Sequence, residues 1–268
     1  MGLNTPALDC LVEDLAQSVR EAATLALGAF VPGARTSAEI FWKAGGSPVT
    51  AMDLAVDEII HAKIVSLNAA GHPAGPLHLH SEERPESWSG DPGGTVVVLD
   101  PIDGTRSFMA GYDDWCISLG LLRSGQPVGG IVNAPARSEF YVATLGSGAR
   151  LNGLPVRLDP SHFPLRATGP KGWAEATFSR LSRPFIAAAP VAALAYRMVR
   201  PLSGEFDLAI ARPGSHDWDL VAADCILREA GGALVTSEQQ PATYTLRGEA
   251  QPALFGGARE VLSQLLLV

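Results

Sequence analysis

The residues with the clearest chemical potential lie in VVVLDPIDGT, residues 96–105. An apolar run ends in Asp100 and Asp103, with Pro101 and Ile102 between them and Gly104-Thr105 directly after. Asp-Pro and Asp-Gly pairs are common turn formers, so one reading is a shaped turn. Against it, paired carboxylates at the end of a buried strand need a cation to balance them. Their hard oxygens suit Mg2+, and the Ile102 carbonyl can add another oxygen. Pro101 fixes the backbone, so both carboxylates can point into one cavity. Gly104 permits close approach of the chain to a ligand, and the N–H groups of Gly104 and Thr105 can hold a phosphate.

Three other acidic positions could complete such a centre, and each has a plainer explanation. Glu82-Glu83 follows Ser81 in a polar stretch and reads as a solvated turn. Asp53 falls in the first turn of a predicted helix, where a negative charge suits the dipole. Asp217-Trp218-Asp219 precedes a helical stretch ending Glu229-Ala230-Gly231-Gly232, where capping suffices.

The elements that must position these groups can be read from periodicity. Thr5-Pro6 followed by Leu8, Leu11, Val12, Leu15 and Val19 predicts an amphipathic helix closed by Gly28 and Pro32. Thr50 can cap a second helix, whose apolar face is Val56, Ile59, Ile60, Ile64 and Leu67. Loops are expected around Gly45, Gly46 and Pro48 and over 71–80. Residues 95–99 read as a strand buried on both faces, and 116–122, 127–133 and 139–143 as an antiparallel meander. Gly146-Ser147-Gly148 is a tight turn and not a dinucleotide fingerprint, since no strand–glycines–helix order surrounds it. Beyond about residue 150 the pattern changes. Helical segments (187–199 and 219–230) alternate with short strands near 206–210, 233–236 and 253–256, and 258–267 reads as helical. The expected division is an N-terminal subdomain, 1–155, carrying most of the acidic groups, and a C-terminal one, 156–268, supplying Asp219.

Taken together, Val49-Thr50-Ala51-Met52-Asp53, Glu82-Glu83, DPIDGT and Trp218-Asp219 with Glu229-Ala-Gly-Gly232 resemble the inositol monophosphatase family in both order and spacing. The resemblance runs from about residue 43 to 232. It implies an α/β layered sandwich, αβαβα, of two tightly packed subdomains. It implies hydrolysis of small phosphomonoesters with two or three Mg2+ ions, and a homodimer. By this resemblance Glu82, Asp100 and the Ile102 carbonyl hold one Mg2+, and Asp100, Asp103 and Asp219 hold a second. Glu82 also supports a third, weaker site. The Thr105 hydroxyl, hydrogen-bonded to Asp53, positions the attacking water, and the Gly104 and Thr105 N–H groups meet the phosphate. Lys43 stands where a family lysine often precedes the VT-x-x-D block, as a candidate substrate contact or a solvated side chain. Inhibition by Li+ at the second site is also implied.

The chain departs from the family in a small way before Glu82 and more tellingly on the substrate side. Ser81 replaces a glycine before Glu-Glu. Pro190-Val191 replaces a glycine and a hydroxyl residue. Arg212 lies close to the place of a glutamate that binds sugar hydroxyls, and an arginine favours a second anionic group. The resemblance therefore extends to 3′(2′),5′-bisphosphate nucleotidases and to histidinol-phosphate or sugar-phosphate phosphatases. A non-catalytic metal-binding regulatory protein is the remote alternative, disfavoured because every expected carboxylate and Thr105 are present.

The totals agree with a small-molecule enzyme. A chain of 268 residues supports a substantial core, and a net charge of −8 disfavours a nucleic-acid partner. Only Lys43, Lys63 and Lys171 among the 20 basic residues are lysines. Cys10, Cys116 and Cys225 are odd in number and far apart, which argues against a disulfide framework or a zinc pattern and fits a reducing cytoplasm. Cys116 and Cys225 are expected in the core. No signal-peptide pattern or membrane-length apolar run is expected.

Overall fold

The computed structural model describes residues 5–84, 94–159, 163–170, 172 and 184–263. The first amphipathic stretch forms α1 (Thr5–Ala29), with Leu8, Leu11, Leu15 and Val19 buried along one face. Burial of each such side chain is worth about 1.5–3 kcal/mol. Residues expected as a loop contain a short antiparallel hairpin, β1 (Ile40–Trp42) and β2 (Pro48–Thr50). Three-residue strands are too short to show a period. Thr50 ends β2 and caps α2 (Ala51–Ala69): its hydroxyl accepts from the Met52 and Asp53 N–H groups, and Asp53 accepts in return from the Thr50 N–H. Val56, Ile60, Ile64 and Leu67 are buried, while Ile59 is only half-buried.

The 71–80 loop also needs correction, because Leu77–Ser81 is a strand, β3, lying parallel to β4 (Thr95–Asp103). The histidines in LHLHS hide its alternation. After β4 come α3 (Thr105–Ala110), β5 (Cys116–Arg123), β6 (Gln126–Ala134), β7 (Glu139–Thr144), β8 (Gly148–Leu151) and β9 (Leu154–Val156). They complete a seven-stranded sheet in the order β3-β4-β5-β6-β7-β8-β9, antiparallel from β4 onward as the meander predicts.

The second sheet uses β10 (Leu165–Thr168), β11 (Phe185–Ala187), β12 (Leu208–Ala211), β13 (Gly232–Thr236) and β14 (Leu254–Ala258), in the order β11-β10-β12-β14-β13. Between β11 and β12 lies α4 (Leu194–Val199), between β12 and β13 lies α5 (Val221–Glu229), and α6 (Arg259–Leu262) follows β14. The helix expected over 187–199 is thus confined to its last six residues. Pro190 interrupts it, and the Ala192 and Ala193 N–H groups bond to the Asp114 carboxylate and carbonyl instead. Of the expected 258–267 helix, 264–267 lie outside the described residues.

The layers follow from strand alternation. In β4, Val97 and Leu99 join the core shared with α1 and α2. Val96 and Val98 join the opposite core, shared with α4, α5 and Leu234 and Leu254 of the second sheet. The far side of the second sheet, with Leu208, Ile210 and Phe255, packs on Leu262 of α6. This is a five-layer αβαβα sandwich. Cys116 and Cys225 lie in its central core, as expected. No helix among the described residues is long and apolar enough to cross a membrane.

A candidate metal and phosphate site

Residues three apart on a regular strand face opposite sides of the sheet. Asp100 and Asp103 escape this because the β4–β5 register slips between them. Pro101, which has no N–H to donate, sits in that slip. The third aspartate arrives from the other half of the chain. Asp219 ends a 3-10 turn, Asp217–Asp219, and accepts from the His216 N–H at 2.7 Å. The Ser118 hydroxyl of β5 ties that turn down through the Trp218 carbonyl at 3.1 Å. The following helix, α5, lies so close to the sheet that a Cβ on Gly130 would sit 2.3 Å from the Ala222 carbonyl oxygen.

The result is one oxygen each from Asp100, Asp103 and Asp219, all within 4.8 Å of one another. Asp100 Oδ1 is buried with no hydrogen-bond partner. Burial and the neighbouring carboxylates hold Asp100 and Asp219 well above the ordinary carboxylate range. Burial raises Asp103 to about 6 even though the Leu194 and Ala195 N–H groups and Arg197 oppose it. Crowded carboxylates of this kind, Asp100 and Asp103 buried, Asp219 half-buried and Asp100 with an unpartnered oxygen, are what a divalent cation satisfies. The donor set therefore fits Mg2+ by number, hardness and charge.

Glu82, in the turn after β3, stands outside this group of three, yet its charge raises Asp53, Asp100, Asp103 and Asp219. Its Oε1 accepts from Lys43 Nζ at 2.8 Å, and Glu83 Oε1 accepts from the same ammonium at 2.7 Å. Lys43, on the β1–β2 hairpin, is thus half-buried and paired with the two glutamates. Thr105 Oγ1 is 3.2 Å from Asp53 Oδ1 and 3.0 Å from the Ile102 carbonyl oxygen, so the anticipated Thr105–Asp53 pair is in contact. Asp53 is raised to about 6, by burial first, against the Thr50 hydrogen bonds. Gly104 has φ of 86°, and a Cβ there would meet Ala193 Cβ at 3.1 Å. Its freedom from a side chain lets the backbone turn directly from the bulge into α3.

Arg212 is exposed and lines a cavity that Asp219 also borders. Sequence reasoning missed two residues here. Asp114 holds the 192–193 backbone, and Arg197 is buried beside Asp103 and Asp219. A lone arginine inside LAYRMV was the available signal for the second. A separate trio, Cys10, Asp14 and His72, is a poor metal site: His72 Nδ1 accepts from the Ala74 N–H, leaving the proton on Nε2, and Lys63 holds Asp14.

Comparison with known proteins agrees with this architecture. The inositol monophosphatase family model matches residues 10–265. A histidinol-phosphatase from Chlorobaculum parvum is 38% identical over 124 residues, 46% of this chain and 45% of that one, so about half of each is aligned. A probable inositol 1-monophosphatase from Mycobacterium tuberculosis is 29% identical across 90% of both chains. The crystal structure of extragenic suppressor protein suhB from Bartonella henselae superimposes with a TM-score of 0.77 at 21% identity, over 96% of this chain and 97% of that one, which establishes the fold. The αβαβα sandwich is the fold of the suhB and inositol monophosphatase structures. The chain belongs to the inositol monophosphatase family, a family of phosphoric monoester hydrolases.

Proposed function

We propose that the protein hydrolyses a small phosphorylated metabolite in a Mg2+-dependent reaction, most like an inositol-phosphate phosphatase. The observation that carries this reading is the trio of aspartate oxygens within 4.8 Å, with a buried, unpartnered oxygen on Asp100, beside the Gly104–Thr105 turn. Glu82, Asp100 and the Ile102 carbonyl are assigned to one ion, and Asp100, Asp103 and Asp219 to a second. Glu82 is assigned also to a third, once Lys43 releases its Oε1. Bound divalent cations supply a coordinated water of lowered pKa and neutralise charge on the phosphate and leaving oxygen.

The chain's own groups do the positioning. Thr105 Oγ1 donates a hydrogen bond to Asp53, which leaves an oxygen lone pair to accept from the attacking water. The Gly104 and Thr105 N–H groups hold a phosphate oxygen, so attack and departure are aligned without a covalent enzyme intermediate. Lys43 supplies positive charge at the same edge, and Arg212 contacts the substrate beyond the phosphate. The same proposal includes a cytoplasmic homodimer and two subdomains divided near residue 155.

The experiment is phosphate release from inositol 1-phosphate, histidinol phosphate and adenosine 3′,5′-bisphosphate, with Mg2+ titrated against a chelator. Mg2+-dependent release from at least one is expected. Chelator-insensitive release, or none from any of the three, would overturn the reading.

A further inference from the structure

Next to the aspartate trio, between α4 and the turn holding Asp219, lies a cavity of about 430 Å³. Arg197, Arg212, Ser215 and Asp219 border it, and Pro190 and Val191 form an apolar wall. We infer that this cavity is a second anion subsite, where Arg197 and Arg212 hold a phosphate or carboxylate that the substrate carries in addition to the phosphate being cleaved. The inference rests on the hydrolase reading above and names its substrate class.

Arg197 is built into the wall. It is 6% exposed, and its Nη1 donates to the Val191 carbonyl at 2.7 Å, which anchors the guanidinium. Its Nε has no partner, and neither has the buried Ser215 hydroxyl. Unpartnered buried donors are costly, and a charged one more so. Burial presses Arg197 down to about 10, Asp103 and Asp219 hold it up, and Arg212 presses it down further. It therefore stays cationic at neutral pH, and the two guanidinium groups repel.

The balance shifts when the carboxylates do their work. Asp103, Asp219 and Asp114 are the nearby negative charges; Asp103 and Asp219 are assigned to divalent cations, and Asp114 accepts from the Ala192 N–H. With those two committed, Asp114 alone of the three still offsets Arg197, and the two arginines border one cavity. A bound anion removes that repulsion and satisfies the free donors, and the guanidinium fork matches a phosphate or carboxylate. A neutral polyol would bring no negative charge to either guanidinium. The wall at Pro190 and Val191 also lacks any side-chain hydroxyl or amide to receive one. The lining of this cavity therefore favours a phosphomonoester whose scaffold bears a second negative group.

The test measures kcat/KM with Mg2+ for four substrates. p-Nitrophenyl phosphate and inositol 1-phosphate carry only the phosphate to be cleaved. Adenosine 3′,5′-bisphosphate adds a second phosphate, and 3-phosphoglycerate adds a carboxylate, so their difference tells which anion the site takes. The wild-type protein is expected to prefer one of the two-anion substrates at least tenfold over inositol 1-phosphate. Arg212 is exposed, so Arg212→Ala and Arg212→Glu should fold, which thermal unfolding checks. Arg212→Glu should lower the two-anion preference at least tenfold, through KM, with Arg212→Ala between it and wild type. Arg197→Lys, which keeps the charge without the fork, should lower the preference less than Arg212→Glu. Preference for inositol 1-phosphate over both two-anion substrates, or an Arg212→Glu effect equal on all four, overturns the inference. Absence of Mg2+-dependent turnover on all four defeats the hydrolase reading instead. Calorimetric binding of adenosine 3′,5′-bisphosphate in Mg2+ buffer then decides the subsite. At least tenfold weaker binding by Arg212→Glu supports it, and equal binding overturns it.

Discussion

At the scale of single residues, Asp100 is the clearest conflict between stability and chemistry. It is buried, one oxygen is unpartnered, and the surrounding acids push against its charge. A side chain kept only for folding would not be placed there. Asp100→Asn removes the charge at nearly constant shape. Without metal, that variant should be more stable than the parent by about 0.5–2 kcal/mol, the usual yield of relieving a functional site. It should also lose Mg2+-dependent phosphate release and the thermal stabilisation by Mg2+. Thermal melts with chelator and with Mg2+ check this, and a variant that retains turnover contradicts the assignment. Thr105→Ala separates positioning from binding. It leaves the carboxylates intact, so Mg2+ should still stabilise the fold while kcat falls by about 10²-fold or more. A weakened Mg2+ response with little loss of kcat would place Thr105 in metal binding instead.

At the scale of elements, the site depends on how closely α5 rides on the seven-stranded sheet. Gly130 in β6 lies under Ala222, and a methyl group there collides with backbone, which cannot rotate away. Gly130→Ala should push the start of α5 outward, at a cost of about 1–3 kcal/mol. Asp219, two residues before α5, moves with it, so the Mg2+ concentration for half-maximal stabilisation should rise. A melt and a Mg2+ titration of this variant measure both effects. An unchanged titration would mean that the Ser118–Trp218 bond alone sets Asp219. What the sequence discloses follows the same lines. The DPIDGT and WD blocks carry their chemistry in residue type, and α1, α2 and the β4–β9 meander carry long enough periods to read. The β1–β2 hairpin, β3 and the 188–193 segment do not. They are short, and partners far along the chain decide them: β4 for Leu77–Ser81, and Asp114 for Ala192 and Ala193. Arg197 reads as one more helical residue until the fold sets it beside Asp103 and Asp219.

At the scale of the whole molecule, the acidic cluster should make stability depend on pH in a direction that the metal reverses. Asp53 and Asp103 rise from the ordinary 3.8 to about 6 in the folded chain, and Asp100 and Asp219 also rise. The folded state therefore binds more protons than the unfolded one across this window. Their contribution is fully present below about 3.8 and is lost as pH rises through about 6 and beyond. His80 works the other way. Burial lowers it, so the folded chain loses stability as pH falls through the ordinary 6.5. The raised carboxylates outweigh one lowered imidazole: for Asp53 and Asp103 a shift from 3.8 to about 6 is on the order of 2–3 kcal/mol each, and Asp100, Asp219, Glu83 and Asp224 shift in the same direction. In chelator, the melting temperature should therefore fall between pH 5 and pH 8. Excess Mg2+ should raise it far more at pH 8, where the carboxylates are free to bind, than at pH 5, where protons compete. Calorimetric melts at both pH values, with and without Mg2+, measure the effect. A chelated melting temperature flat or rising with pH would mean that the four aspartates do not share one buried, repulsive site, and the metal centre would lose its physical basis.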